Sequence, residues 1–359
     1  MAKRKPDPAH LETDKIISKI EKRITREYTQ ALNELQEKVD DYFRRYEIKD
    51  ATWQRWVKEN KKTEEQYRDW KIGQLAIGER WEEMRNTIAE DLRNTNNIAR
   101  SIARGYMPDV YALNHDYTTF IAETMTGIDT SYTLYRREAV ERIIRDNPQM
   151  LPSPGKKVSQ AIADGTAIRW NNQHIQSVMI QQILQGESIP KMAQRLMEKV
   201  YDDDRKAAIR NARTMATSAQ NAGRLDAMRR CEKKGLHGKK QWIATLDSRT
   251  RHAHRQLDGE VVGIDDYFEN EFGKIMYPGD MDASPANIWN CRCTMVEVFD
   301  EKEAREEARD LSLRNTDKLK EMSYEEWKKS KKIENNPIDL PVKKANAIRG
   351  KYIKEYRSL

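Results

Sequence analysis

From Ile20 onward, apolar residues fall at Ile24, Tyr28, Ala31, Leu35, Val39, Tyr42 and Tyr46, in steps of three or four that average close to the helical repeat. This stripe predicts one long, straight amphipathic helix over residues 14–47, and its apolar face must be buried against other elements. Trp70, Ile77, Trp81, Met84, Ile88 and Leu92 repeat the spacing, and Trp53, Trp56 and Val57 begin a shorter piece before them. These aromatic residues read as core between long helices rather than as a ligand site. Composition supports the same architecture. Only 38% of residues are hydrophobic and 34% are charged, which favours extended helices with one buried stripe over a sphere. A chain of 359 residues can nevertheless build two or three domains, each with a core, without a metal or disulfide staple.

Gly105 and Pro108 predict a break in the helical pattern, and Gly127 ends the stretch that follows. Asp129, Thr130 and Ser131 are then N-cap candidates for a helix carrying Leu134, Val140, Ile143 and Ile144. Residues 147–155, NPQMLPSPG, hold three prolines and read as a linker. Beyond it, residues 168–185 and 189–200 read as two helices hinged at Gly186, with Ser188 as cap and Pro190 in the first turn; a third helix covers 205–234. The expected organisation is an extended helical domain over 1–146, the linker, a helical middle over 156–235, a small α+β module over 236–299, and a helical then basic tail over 300–359. The fold class is mainly α with a small C-terminal α+β module.

The third helix is rich in positive charge. Arg205, Arg210, Arg213, Arg224, Arg229, Arg230, Lys233 and Lys234 face only Asp226 and Glu232, so they are candidate contacts for DNA phosphates. A solvated face or an acidic protein partner is the competing reading. The net charge of +7 permits a polyanionic partner without requiring one. Trp327 stands alone in polar surroundings, residues 300–310 read as helix, and the stretch from Lys328, with Pro337 and Pro341, reads as a mobile basic tail. No apolar run reaches the length of a membrane span or a signal-peptide core, so no membrane segment is expected. Three cysteines are too few for a disulfide framework and suit a reducing compartment.

Residues 241–298 concentrate the chemistry: Asp247, Arg249, Arg251, His252, His254, Asp258, Gly259, Cys291 and Cys293 lie in one turn-rich segment. Alternation in 241–245, 260–262 and 294–298 predicts three short strands, separated by Asp-Gly, Pro-Gly and Ser-Pro turns. Cys291 and Cys293 read as strand positions on one face. With His252 and His254 they are the donor types zinc requires, but both pairs are separated by a single residue, tighter than usual structural spacings, and no outer partner is readable. A polar network of Asp247, Arg251 and His254 that pins the turns, with the cysteines as small hydrophobes beside Trp289, ranks above zinc at His254, Cys291 and Cys293. No cofactor is expected. A Cys-His-Asp nucleophile ranks last, because neither cysteine sits at a helix start or between glycines.

Four segments then carry a family pattern: RNARTMATSAQNAGR (210–224), WIATLDSRTRHAHRQLDGEVV (242–262), YPGD (277–280) and NCRCT (290–294). Together, and in this order, they resemble the phage Mu F-like head-morphogenesis family, minor capsid proteins of tailed bacteriophages. YTLYRREAVERI (132–143) and ILQGESIPKMAQRL (183–196) resemble segments preceding that region in minor head proteins of phages of Gram-positive bacteria. The family's hallmark positions fall on Asp247, Thr250, Arg251, His254, Asp258, Gly259, Pro278, Asn290, Cys291 and Cys293; His252 is not among them. The resemblance implies a virion protein at the portal vertex inside the head, acting in head assembly and genome delivery, with host cytoplasm as the site of assembly. Its implied partners are the portal protein, a scaffold or major capsid protein, and double-stranded DNA bound without sequence preference. It implies no catalytic activity. Some members end in toxin domains such as ADP-ribosyltransferases, for which a polar tail of about sixty residues is too short. The alternatives kept beside it are a DNA-binding protein without sequence preference and, behind that, a zinc or thiol enzyme.

Overall fold

The computed structural model describes residues 7–76, 79–134, 140–141, 189–299, 314–315 and 317–331. The linker at 147–155, the helix expected at 168–185, the segment 300–313 and the tail from 332 lie outside these residues, as do the side chains of Val39, Tyr42, Tyr46, Ile77, Trp81 and Met84. Helices α1 (Pro8–Lys58), α2 (Glu64–Ala76) and α3 (Glu79–Thr126) are followed by β1 (Ile128–Asp129) and α4 (Ile189–Glu232). The small module comprises β2 (Lys239–Ile243), α5 (His252–Gln256), β3 (Val261–Gly263), β4 (Phe268–Asn270), β5 (Gly273–Ile275), α6 (Pro285–Ile288) and β6 (Thr294–Val298). After it come β7 (Arg314–Asn315), α7 (Asp317–Lys320) and α8 (Tyr324–Ser330). The protein is thus mainly α, with a strand-bearing region towards its C-terminus.

The chain divides into two compact units. Residues 1–22, 100–153 and 209–355 form one, and residues 23–99, 154–208 and 356–359 the other. In the second unit the expected stripe is buried: Ile24, Tyr28 and Leu35 lie in the core, as do Ile88, Leu92 and Val200. Polar atoms among them are paired rather than stranded. The Tyr28 hydroxyl donates to Asn96 Oδ1, the Asn96 amide donates to Asp204 at 2.9 Å, and the Tyr201 hydroxyl donates to Asp91. The first helix runs further than the stripe predicts, so Trp53 and Trp56 lie on α1 itself and begin no separate piece. It ends at a turn with Asn60 in the left-handed region, and a reciprocal Thr63–Gln66 pair caps α2. Trp70 of α2 then stacks on Trp53 with centroids 5.4 Å apart.

The predicted break at Gly105 and Pro108 does not occur, and α3 runs through both. Tertiary packing overrides the local signal: Met107, Val110 and Tyr111 around the proline are fully or almost fully buried. The two helices expected at 189–200 and 205–234 are also one continuous helix, α4. Within the first unit α3 and α4 approach so closely that a Cβ on Gly223 would stand 2.5 Å from the backbone oxygen of Tyr111. Asp129 and Ser131 do not cap a helix. Asp129 pairs in β1 with Arg314 of β7, and its carboxylate accepts the Ser131 amide at 2.9 Å.

Three antiparallel strands in the order β3-β2-β6 build the module, at the expected places. A hairpin, β4-β5, also belongs to it; its strands have only three residues each, too few to show an alternating pattern in the sequence. Trp242, Leu257, Phe268, Ile275, Cys291 and Cys293 form the module's core, while Leu225 and Met228 of α4 pack with Ile264 and Met295. Trp327 is not solvated: it is fully buried, with Phe120, Tyr132 and Leu134.

Glu297 on β6 is the least comfortable group in this core. It is 4% exposed, and neither carboxyl oxygen has a hydrogen-bond partner among the described residues. Burial pushes its carboxyl well above the ordinary value of 4.5, so the fold holds it protonated where the unfolded chain would ionise it. That cost is absent below the unfolded value and grows as pH rises, by about 1.4 kcal/mol per pH unit until the folded group also ionises. Glu297→Gln removes the titration, and chemical denaturation from pH 5 to 8 is expected to show the variant gaining on the wild type as pH rises.

Candidate functional site

Four α4 side chains spaced three or four residues apart, Thr214, Thr217, Asn221 and Arg224, share one helix face and are aimed at the backbone of the module. The Asn290 amide donates to Thr214 Oγ1 at 3.2 Å, and the Thr217 hydroxyl donates to the Cys291 carbonyl at 2.7 Å. Asn221 donates to the carbonyls of Pro278 and Cys293, at 2.9 and 3.2 Å, and its oxygen accepts the Met295 amide at 3.2 Å. Arg224 donates to the Met295 carbonyl at 2.9 Å and to Asn114 at 3.0 Å, and pairs with Asp7 at 2.6 Å. Polar residues in mid-helix at this spacing are the signal the sequence offers for this face. A count of basic residues passes over it.

The basic helix is therefore largely committed within the protein. Arg224 is 2% exposed and is removed from the candidate DNA contacts. Arg213 pairs with Glu21, Arg229 with Asp265 and Arg205 with Asp202, while Arg230 lies over the Tyr132 ring at 4.8 Å. Arg210, Lys233 and Lys234 are exposed. Most of the pairing carboxylates come from elsewhere in the fold, which a charge census of one helix cannot show.

The motif residues divide into three sets. Asp247 forms a two-point ion pair with Arg292 at 2.6 and 2.7 Å, and accepts the Arg249 amide at 2.9 Å. These hydrogen bonds, the Arg292 pair above all, hold its carboxyl far below the usual range. The Thr250 hydroxyl donates to the Thr245 carbonyl, and Arg251 donates to the Trp289 carbonyl. The expected Asp247–Arg251–His254 network is thus replaced by separate pairings: Asp247 is partly exposed and faces Arg292, a partner set by strand topology rather than sequence spacing.

A second set shapes turns. Asp258 accepts the Ala244 amide at 2.9 Å, and Gly259, with φ of 88°, places its own amide 2.9 Å from the Trp242 carbonyl. A side chain at that φ would be strained. Asn290 takes a left-handed conformation, φ of 57°, just before the cysteines. Pro278 contributes its carbonyl to Asn221.

The third set converges on one point. His254, Cys291 and Cys293 are each 2% exposed, and His254 Nδ1 lies 3.6 Å from both sulfurs. The cysteines precede β6, and neither lies on it. The other ring nitrogen of His254 faces Asn287 Oδ1 at 3.3 Å, and Asn287 and Asn270 exchange hydrogen bonds at 3.0 and 3.2 Å. The hydrogen bond between the two thiols pushes Cys291 up and pulls Cys293 down; burial raises both, and His254 helps hold Cys293 down. Exposed His252 takes no part in the group.

Helix α4 thus holds a turn-rich module by its backbone carbonyls and amides, an arrangement that makes a rigid platform of the module's loops. Residues 173–296 match the family described as Phage Mu protein F like protein. The chain is 26% identical over 333 residues to minor head protein GP7 of Bacillus phage SPP1, covering 91% of this chain and 99% of that protein. Residues 173–296 are thus similar to the phage Mu F-like family, and almost the whole chain is similar to a minor head protein. The chain is also 29% identical over 183 residues to an NAD(+)–arginine ADP-ribosyltransferase EFV of Enterococcus faecalis, but covers only 35% of it. A Haemophilus influenzae protein of uncharacterized role is 27% identical over 212 residues, 40% of its length. No solved structure matches significantly. Among the described residues, no helix is long and apolar enough to cross a membrane.

Proposed function

We propose that this protein is a minor head protein of a tailed phage, incorporated into the virion during head assembly and seated at the portal vertex. The observation that carries this reading is the nearly end-to-end likeness to GP7, which pairs 91% of this chain with 99% of a minor head protein. The fold suits the task. A module clamped to α4 by Thr214, Thr217, Asn221 and Arg224 presents its loops with little freedom left to lose on docking. Leu246, Tyr267 and Phe272 stand exposed on that module and supply apolar contacts for a protein partner. The match to the ADP-ribosyltransferase leaves most of that longer protein without a counterpart, so transferase activity is not part of the proposal.

Purified virions are expected to contain the chain by mass spectrometry, and portal pull-downs from infected cells to recover it. Tyr267→Asp with Phe272→Asp should lower incorporation several-fold while leaving the fold intact by circular dichroism. Absence of the chain from both virions and pull-downs refutes the proposal. A secondary role, weak binding of double-stranded DNA without sequence preference, is supported by exposed Arg210, Lys233 and Lys234. Affinity should then fall steeply with added salt, and charge reversal at these three positions should flatten that dependence.

A further inference from the structure

We propose that His254, Cys291 and Cys293 bind a zinc ion that staples α5 to the loop before β6. The donor types are those of zinc sites, an imidazole nitrogen and two sulfurs, and the three ligating atoms lie within 4.8 Å of one another. In a tetrahedral site with Zn–N of about 2.0 Å and Zn–S of about 2.3 Å, the nitrogen-to-sulfur edge is about 3.5 Å. Both edges here are 3.6 Å. Two thiolates and a neutral imidazole around a divalent cation carry no net charge, which suits a buried site. Among the described residues no fourth His, Cys, Asp or Glu joins the group, so these three donors leave one position of a tetrahedron to a further ligand.

The surroundings answer the two objections that the sequence raises. A single residue between the cysteines is a tight spacing for separate turns, but alternate positions of an extended segment share a side. Here the carbonyls of Cys291 and Cys293 are both held by α4, through Thr217 and Asn221, and both sulfurs face His254. The outer partner that no motif spacing reveals is Asn287 on α6, 33 residues after His254. Its Oδ1 accepts from His254 Nε2, which fixes the ring proton there and leaves the Nδ1 lone pair between the sulfurs. Asn270, at the end of β4, holds Asn287 in turn.

Full-length protein purified from zinc-supplemented cells is expected to carry one zinc per chain by metal analysis. Exchange with cobalt(II) should give the thiolate-to-cobalt charge-transfer absorption and intense visible bands of a tetrahedral site. Cys231→Ser, which alters a buried thiol outside the group, should retain both signals, and Cys291→Ser with Cys293→Ser should lose them. Asn287→Ala should weaken zinc affinity about 10–100-fold, an effect that needs no loss of fold. Folded protein without stoichiometric zinc, or a cobalt form without charge-transfer bands, overturns the proposal. If the double serine variant fails to fold, the wild-type cobalt spectrum and the Asn287 variant still decide it.

Discussion

Replacing Arg224 with alanine is expected to cost about 3–5 kcal/mol of stability, the range for removing one partner of a buried ion pair. Its guanidinium joins three parts of the first unit: Asp7 at the start of α1, Asn114 on α3 and the Met295 carbonyl on β6. Alanine leaves all three without that donor, Asn114 and Met295 in a buried part of the core. Burial works against ionisation of Asp7, but attraction to Arg224 and its hydrogen bonds outweigh it, so the carboxyl sits below its ordinary value of 3.8. The sign follows: the pair's contribution is complete above 3.8 and is lost as pH falls through the lower folded value. Denaturant unfolding should therefore show the gap between wild type and Arg224→Ala narrowing in strong acid. Arg224→Lys should fall between them, since an ammonium can meet Asp7 but cannot span all three partners. A variant as stable as wild type but weaker on DNA would restore Arg224 to the phosphate contacts.

This residue shows where a sequence can be read and where it cannot. The stripe Ile20, Ile24, Tyr28 and Leu35 is legible because burial on a helix repeats with the helical period, and all four are buried. The strands of the module are legible from alternation and turn residues. Arg224 reads as a surface charge because its partners lie at positions 7, 114 and 295, far apart in the chain. Asp247 misleads for the same reason, its partner Arg292 being brought across by the pairing of β2 with β6. Pro108 and Gly105 mislead differently: local propensity predicts a break that packing between α3 and α4 overrides. The three donors at His254, Cys291 and Cys293 can be named from the sequence, but their convergence and the Asn287 support cannot.

Glu123→Ala is the second change expected to cost about 3–5 kcal/mol, because it removes the acceptor on which α8 docks. Glu123 is fully buried on α3, and its two oxygens are shared among four donors. One accepts from the Thr130 amide at 3.0 Å and the Thr130 hydroxyl at 2.6 Å; the other accepts from Trp327 Nε1 at 2.6 Å and pairs with Lys331 at 2.5 Å. In sequence the stretch from Lys328 reads as a mobile basic tail, yet Lys331 is 8% exposed and also meets Asp129 at 2.9 Å. Alanine at 123 strands the indole N–H and leaves Lys331 with Asp129 as its carboxylate among the described residues. Docking of α8 should weaken before the rest of the unit unfolds, since the reciprocal Ser323–Glu326 cap secures that helix only locally. Limited proteolysis is expected to cut near residue 331 faster in Glu123→Ala than in wild type, with a red shift in tryptophan emission as Trp327 meets water. Glu123→Gln keeps two acceptor sites on one oxygen but loses the charge facing Lys331, so its effect should be intermediate. Equal protease resistance in all three proteins would show that α8 is held by its aromatic contacts with Phe120 and Tyr132, without need of the buried carboxylate.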